Sequence, residues 1–223
     1  MSTPLPQSPV PLFPLPGAFL YPAQVLPLHV FEPRYRQLVE DSLDGPGRLV
    51  IGTIVGDDDP PGVLPVAGLG EIVRHEKLTD GRFHLWVLGL ARVRIDETPS
   101  DRMYRRVQCS PFAEVQADPA EAGRLKSRLR AAAQSRLAQK LPLPAAAPTG
   151  VLTDLLLQIL QLPQALTEDI FAETSVAERA RKALDAHARF PHSPQRSTDT
   201  GGDSTHGTHD DEVPDHLPDD FDE

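Results

Sequence analysis

The chain has a single cysteine, Cys109, so no disulfide can form within it. That is the usage of proteins from a reducing compartment, and a cytoplasmic location is the expectation. No stretch approaches the ~20 consecutive apolar residues that cross a bilayer, which argues against a membrane protein. The opening residues MSTPLPQSPVPLFPLPG have no basic cluster and no proline-free apolar run, so they do not read as a signal peptide. Only four lysines occur, Lys77, Lys126, Lys140 and Lys182, and none follows a glycine. A phosphate-cradling loop that ends in Gly-Lys-Ser or Gly-Lys-Thr is therefore missing. Cys-x-x-Cys, Gly-x-Ser-x-Gly and His-Glu-x-x-His are missing too. No catalytic residue, resident metal or cofactor is expected. His206, His209, Asp210, Asp211 and His216 lie in an Asp-rich run with nothing to preorganise a cage, and they read as adventitious ligands at most.

Proline, by contrast, is abundant. The chain has 24 among 223 residues, nine of them in the first 33, about twice the average share. Proline cannot donate to a sheet ladder, so this region is expected to be loop, strand edge or bulge. Charge is unevenly spread. The formal net charge is -10, but residues 191–223 hold eight Asp, two Glu and one Arg, or -9. The rest carries 21 basic and 22 acidic side chains and is nearly neutral.

The patterning predicts an extended edge piece over Val10–Pro16, a loop GAFLYP over 17–22, and a strand over Val25–Val30. Pro33 then suits the first turn of a helix. Tyr35, Leu38, Val39, Ser42 and Leu43 fall on one helical face, and Asp44-Gly45-Pro46-Gly47 stops it. Strands are expected over 49–55, 70–78, 82–95 and 104–112. Thr79-Asp80-Gly81 signals a hairpin, and Gly89 marks a bulge or bend. Long bent hairpins favour a closed or half-closed barrel over a flat sheet. From Pro119 the period changes to helical, with Leu125, Leu129, Ala133, Leu137 and Leu141 recurring. A buried helix follows over 152–162, and Ser175-Val176-Ala177-Glu178 is a capping box for a last helix. Beyond Phe190 the composition is that of a disordered segment.

These pieces carry a family likeness. LPGAFLYPAQVLPLHVFEPRYRQLVEDSL resembles the opening of the N-terminal domain of Lon-type ATP-dependent proteases. LVIGTI and GLGEIVRHEKLTDGRFHLWVLGLARVRI continue the likeness, with Gly89, Arg92 and Ile95 at a G-x-x-R-x-x-I-like ending. LTDLLLQILQLPQALTEDIFAETSVAERARKAL resembles the helical half of the same domain. The resemblance covers roughly residues 10–188. It implies an α+β fold: a pseudo-barrel (PUA-like) β-subdomain with one short helix, then a small helical bundle and a disordered acidic tail. The expected boundaries are a flexible 1–9, a barrel-like 10–115, a helical 116–190 and a tail 191–223. It also implies a non-catalytic protein-binding module, without the Lon ATPase or its Ser-Lys protease. Such a module engages exposed hydrophobic segments of client proteins, or acts as an adaptor in proteolysis and quality control. The expected partners are unfolded or damaged proteins, with a separate ATP-dependent protease or chaperone as a further class. An alternative is a barrel-type regulator that binds a small ligand or RNA.

Five residues stand as protein-binding candidates: Phe19, Leu20, Tyr21, Phe31 and Trp86. A binding module needs apolar anchors, and aromatics on a stiff frame lose little entropy on docking. Each also has a packing role open to it. Phe19, Leu20 and Tyr21 could tuck into the barrel end. Phe31, with Arg34 and Tyr35, lies at a strand-to-helix corner, and Trp86 could belong to a core or subdomain interface. The helix from Pro119 carries Arg124, Lys126, Arg128, Arg130, Arg136 and Lys140 against Glu121 alone. At 100° per residue these charges spread over about 240°, which disfavours a nucleic-acid ridge.

Overall fold

In the computed structural model of the chain, residues 4–137 and 143–190 are described. The expectations for Leu141, for the 191–223 tail and for its histidines fall outside them. The first strand, β1 (Val10–Pro16), shows how the prolines are accommodated. It pairs with β7 (Arg106–Pro111) only at Val10 and Pro11. It then runs parallel to β3 (Arg48–Val55) from Leu12 to Pro16. Leu12 still donates its N–H to the Arg105 carbonyl, on the β7 side. Backbone direction alternates along a strand, so the nitrogens of Pro14 and Pro16 also turn away from β3. β1 is thus paired on both sides and closes the barrel, which corrects the edge expectation; its prolines are accommodated because the missing hydrogens of Pro14 and Pro16 fall where no bond to β3 is called for.

The remaining elements follow in chain order: β2 (Val25–Val30), α1 (Pro33–Leu43), the two-residue β4 (Gly62–Val63), β5 (Val66–Lys77) and β6 (Phe83–Thr98). The helical half is α2 (Pro119–Arg136), α3 (Thr149–Leu160), α4 (Gln164–Phe171) and α5 (Val176–Arg189). The sheet runs β1-β7-β6-β5-β3-β4, with β1 also joined to β3, and β2 pairs with the first half of β6. This is the expected mixed α+β pseudo-barrel followed by a helical bundle. Two short elements, β4 and α4, go beyond the sequence reading.

Long β6 serves both halves of the barrel. Phe83, Leu85 and Val87 join one core with Phe13, Leu49, Ile51 and the buried face of α1. Val93 and Ile95 join another with Leu12, Val50, Val107 and Cys109. Leu49, Val50 and Ile51 are therefore buried on both faces of β3, which is why that strand reads as a continuous apolar run. Burial pushes the Cys109 thiol up to about 11, and it packs as a small hydrophobe. In the bundle, α3 is covered by α2 and α5. Leu125, Leu129, Leu152, Leu156, Phe171 and Leu184 lie in one core there. Ser175 caps α5 by accepting the Glu178 N–H at 3.3 Å, while the Glu178 carboxylate turns to Arg181. Half of the capping box is thus made.

The 17–22 loop turns inward at Leu20 and Tyr21, which are buried. It crosses β5 and β6 where Gly68, Gly70 and Gly89 present no side chain, and a Cβ on Gly89 would overlap the Tyr21 carbonyl. The register of β6 against β5 slips beside Gly89, where Gly70 pairs with Gly89 and Leu69 with Ala91. Gly89→Ala should destabilise the fold by about 2–3 kcal/mol, since neither backbone can give way. Gly123, with nothing near it on α2, supplies the contrast. Gly123→Ala should stabilise by ~0.5–1 kcal/mol, and denaturant unfolding of both variants reads the difference.

Candidate functional site

Among the described residues, strand β2 pairs with β6 alone. The Ala23 N–H bonds the Gly89 carbonyl, and the Gly89 N–H bonds the Gln24 carbonyl, each at 2.8 Å. Ala23 and Gln24 thus stand together opposite Gly89 as a bulge, and the bond from the Gly89 N–H to the Gln24 carbonyl sets the phase of the ladder beyond it. Antiparallel ladders alternate bonded and non-bonded pairs, so Val25, Pro27 and His29 are non-bonded, with their nitrogens toward the open edge. Pro27 has no hydrogen to offer there. The edge is blunted at its centre, as edges of natural sheets commonly are.

The outer face of this strand meets outward side chains of β6 and β5. Register places Val25 beside Leu88, Pro27 beside Trp86 and His29 beside His84. On the other side of β6, Arg74 lies beside Trp86 and Glu76 beside His84. The Arg74 guanidinium sits over the Trp86 ring, 4.4 Å from its centroid, a cation–π contact that holds the indole in one orientation. His29 stands 5.1 Å from His84 and 6.0 Å from Phe31, ring centre to ring centre. Phe31 is 60% exposed, Val73 50% and Val25 45%. Val73 turns outward because the β5–β6 register shifts between Ile72 and Arg74. At the strand-to-helix corner, packing falls to Tyr35, which stacks on Phe13 at 4.3 Å, and leaves Phe31 outside.

The other three candidates face inward. Leu20 is 2% and Tyr21 3% exposed. Leu20 enters the barrel core. Phe19 and Tyr21 each place their ring centre 5.3 Å from that of Phe171. The GAFLYP loop thus staples the barrel to the bundle, and of the five candidates Phe31 alone is exposed, Phe19 and Trp86 are partly buried, and Leu20 and Tyr21 are buried.

Beside Tyr21 lies a group of charges that the sequence reading left out. Arg92, within β6, gives its guanidinium to the Phe171 and Glu173 carbonyls and to the Glu114 carboxylate. Arg179, on α5, lies 3.4 Å from the same Glu114 and bonds Asp154 of α3 at 2.7 Å. Arg92, Asp154 and Arg179 are all buried. Their only legible sign is a lone acid in the apolar helix TGVLTDLLLQIL and a lone arginine on the buried stripe of α5. Burial drives the Tyr21 hydroxyl well above its usual range, with the nearby Asp154 charge adding to this. Burial likewise raises the Asp154 carboxyl to about 6, although Arg179 and Arg92 hold it down. Elsewhere, Arg130 and Arg136 of the basic helix α2 are spent on neighbouring backbone. Arg130 bonds the Leu143 and Ala145 carbonyls, and Arg136 bonds His187. Among the described residues, no group of three or more His, Cys, Asp or Glu is placed to hold a metal ion, and no helix is long and apolar enough to cross a membrane.

The chain thus joins a pseudo-barrel to a helical bundle through the 17–22 loop and the Arg92–Glu114–Arg179 charges. The sequence matches the ATP-dependent protease La (Lon) substrate-binding domain over residues 9–188, and the chain belongs to that family. It is 34% identical to the Lon protease of Dictyoglomus thermophilum over 108 residues, which is 47% of this chain and 14% of that protein. To the Lon protease of Trichlorobacter lovleyi it is 29% identical over 109 residues, 47% of this chain and 13% of that one. The matched part is thus about a seventh of the relatives' length. Among solved structures, the N-terminal domain of Mycobacterium avium complex Lon protease aligns with a TM-score of 0.65 at 19% identity, covering 81% of this chain and 98% of that one. A Lon N-terminal domain protein from Xanthomonas campestris aligns at 0.59 and 22% identity, covering 80% and 98%. These two likenesses are of fold.

The junction charges make a pH prediction. A carboxyl whose folded pKa lies above its unfolded one favours the folded state below the unfolded pKa, and this support fades as pH rises through the folded value. Asp154 should therefore cost stability between about pH 4 and 7, by roughly 2–3 kcal/mol. Asp154→Asn lowers overall stability by stranding Arg179, yet its unfolding free energy should fall less steeply over that window than that of the unmodified chain. Parallel curves in urea at pH 4, 5, 6 and 7 would contradict the assignment.

Proposed function

We propose that this chain is a non-catalytic client-binding module that holds exposed hydrophobic segments of unfolded or damaged proteins on the outer β2–β6–β5 face. The observation that carries this reading is the exposure of Phe31, Val25 and Val73 beside a Trp86 ring clamped by Arg74. Such residues make productive anchors. The ring is already oriented, so little conformational freedom is lost on docking. Removal of a Phe-sized side chain from water is worth about 1.5–3 kcal/mol. Pro27 at the open edge disfavours capture by strand addition, so recognition runs through side chains and tolerates varied client sequences. The family's substrate-binding description supports the same reading. We further assign the module an adaptor role in proteolysis or quality control in the cytoplasm, with a separate ATP-dependent protease or chaperone receiving the client.

A labelled, reduced and alkylated model protein tests the reading by fluorescence anisotropy against the full chain. Saturable binding is expected, weakened about tenfold by Phe31→Ala, which corresponds to about 1.4 kcal/mol. Trp86→Ala should weaken it at least as much. Phe31→Ala should leave the melting temperature unchanged, because its side chain supports no core. Binding that ignores both substitutions, or a steep loss of affinity with salt of the kind phosphate recognition gives, would overturn it.

A further inference from the structure

At the opposite side of α1 from its entry corner, the N-terminal arm, the end of α1 and the start of β7 enclose a cleft of about 470 Å³. Arg48, Arg102 and Arg106 line it, with Asp41 as its one carboxylate and prolines of the arm as its apolar wall. Asp41 is already engaged. It accepts the Tyr104 hydroxyl at 2.8 Å and lies 3.6 Å from Arg102 Nε. With Asp41 also adding its charge, burial pushes the Tyr104 hydroxyl up to about 12, so that hydroxyl stays protonated and keeps donating.

Arg48 and Arg106 are differently placed. Arg48 gives Nη1 to the Pro4 carbonyl at 2.9 Å. Its Nε lies 3.7 Å from Glu71, an ion-pair distance though too long for a hydrogen bond. Arg106 gives Nη2 to the Pro9 carbonyl at 2.6 Å and has no carboxylate within salt-bridge distance among the described residues. The Nε atoms of both are shielded from solvent and so do not face the cleft, which leaves each guanidinium its remaining Nη hydrogens beyond the one given to the arm. Both guanidiniums are also held in orientation by carbonyls of the arm, so little ordering remains to be done on binding. A planar fork with free N–H groups matches the geometry of an oxyanion, and the cleft has the size of a small-molecule site.

We infer that this cleft binds a small oxyanion ligand, a carboxylate or a phosphate, through Arg106 and Arg48. The proline wall receives the apolar remainder of the ligand. The site shares no residue with the β2–β6–β5 face and does not rest on the client-binding reading.

Arginine Nε–Hε resonances of the full chain, followed by NMR, give the test. The chain is titrated with inorganic phosphate, with glutarate, and with sodium chloride at matched ionic strength. Saturable shifts at the Arg48 and Arg106 signals are expected with phosphate or glutarate and not with chloride, and the tighter titration identifies the source. Arg106→Gln should weaken that binding about tenfold or more, while Arg124→Gln on exposed α2 should not. Arg48→Lys keeps the charge but loses the fork, and should also weaken it, which keeps the test open if Arg106→Gln does not fold. Shifts that follow ionic strength alone, silence in both oxyanion titrations, or full affinity in Arg106→Gln and Arg48→Lys would overturn the assignment.

Discussion

One carboxylate shared by two buried arginines governs how the two halves of this molecule meet. Glu114, just past β7, receives Arg92 from the barrel and lies within ion-pair distance of Arg179 from the bundle. Asp154 takes the other side of Arg179. Buried ion pairs add little net free energy over an apolar alternative, but separating the partners is heavily penalised. The cluster therefore acts less as glue than as a fixture. Any arrangement in which α3, α5 and β6 part company leaves a bare charge in the interior. The apolar surfaces of Phe19, Tyr21 and Phe171 supply the adhesion, and the charges select the alignment in which each arginine meets a carboxylate.

The same economy of backbone runs through the barrel. Pro14 and Pro16 stand on alternate residues of β1, so that their nitrogens face away from the ladder they help to form. Glycines stand where one stretch of backbone crosses another, so that the 17–22 loop can lie on the sheet. An apolar loop that would look adhesive on its own is thereby consumed internally. The accessible apolar surface appears on the far face of β2 and β6, away from the core that β6 serves with Phe83, Leu85 and Val87.

Much of this was readable from the residues. The bounds expected for β2 and α1 coincide with those observed, because Val25–Val30 is closed by Pro33 and the helix by Asp44-Gly45-Pro46-Gly47. The Asp80-Gly81 hairpin and the bulge beside Gly89 also carry strong local chemistry. β4 is two residues long, and α4 starts after Pro163 without a side-chain cap, so neither announces itself. The fate of Phe19, Leu20 and Tyr21 is not local either. It depends on Gly68, Gly70 and Gly89, some fifty to seventy positions later, and periodicity has no access to that. Phe31 and Trp86 were visible as candidates, but which of the corner residues turned outward was decided by the stacking of Tyr35 on Phe13. Asp154 and Arg179 broke an apolar pattern without naming their partners.

Pro27 has a consequence for how the molecule behaves among its own copies. An uncovered greasy surface beside a free strand margin is ordinarily an invitation to polymerise, since each new copy could extend the sheet and hide its neighbour's oily side at once. Here the midpoint of that margin cannot donate. Contact between copies can be sticky, but it cannot propagate into a continuous ladder. The tackiness that recognition demands is thereby kept separate from fibre growth by the lack of a single hydrogen atom.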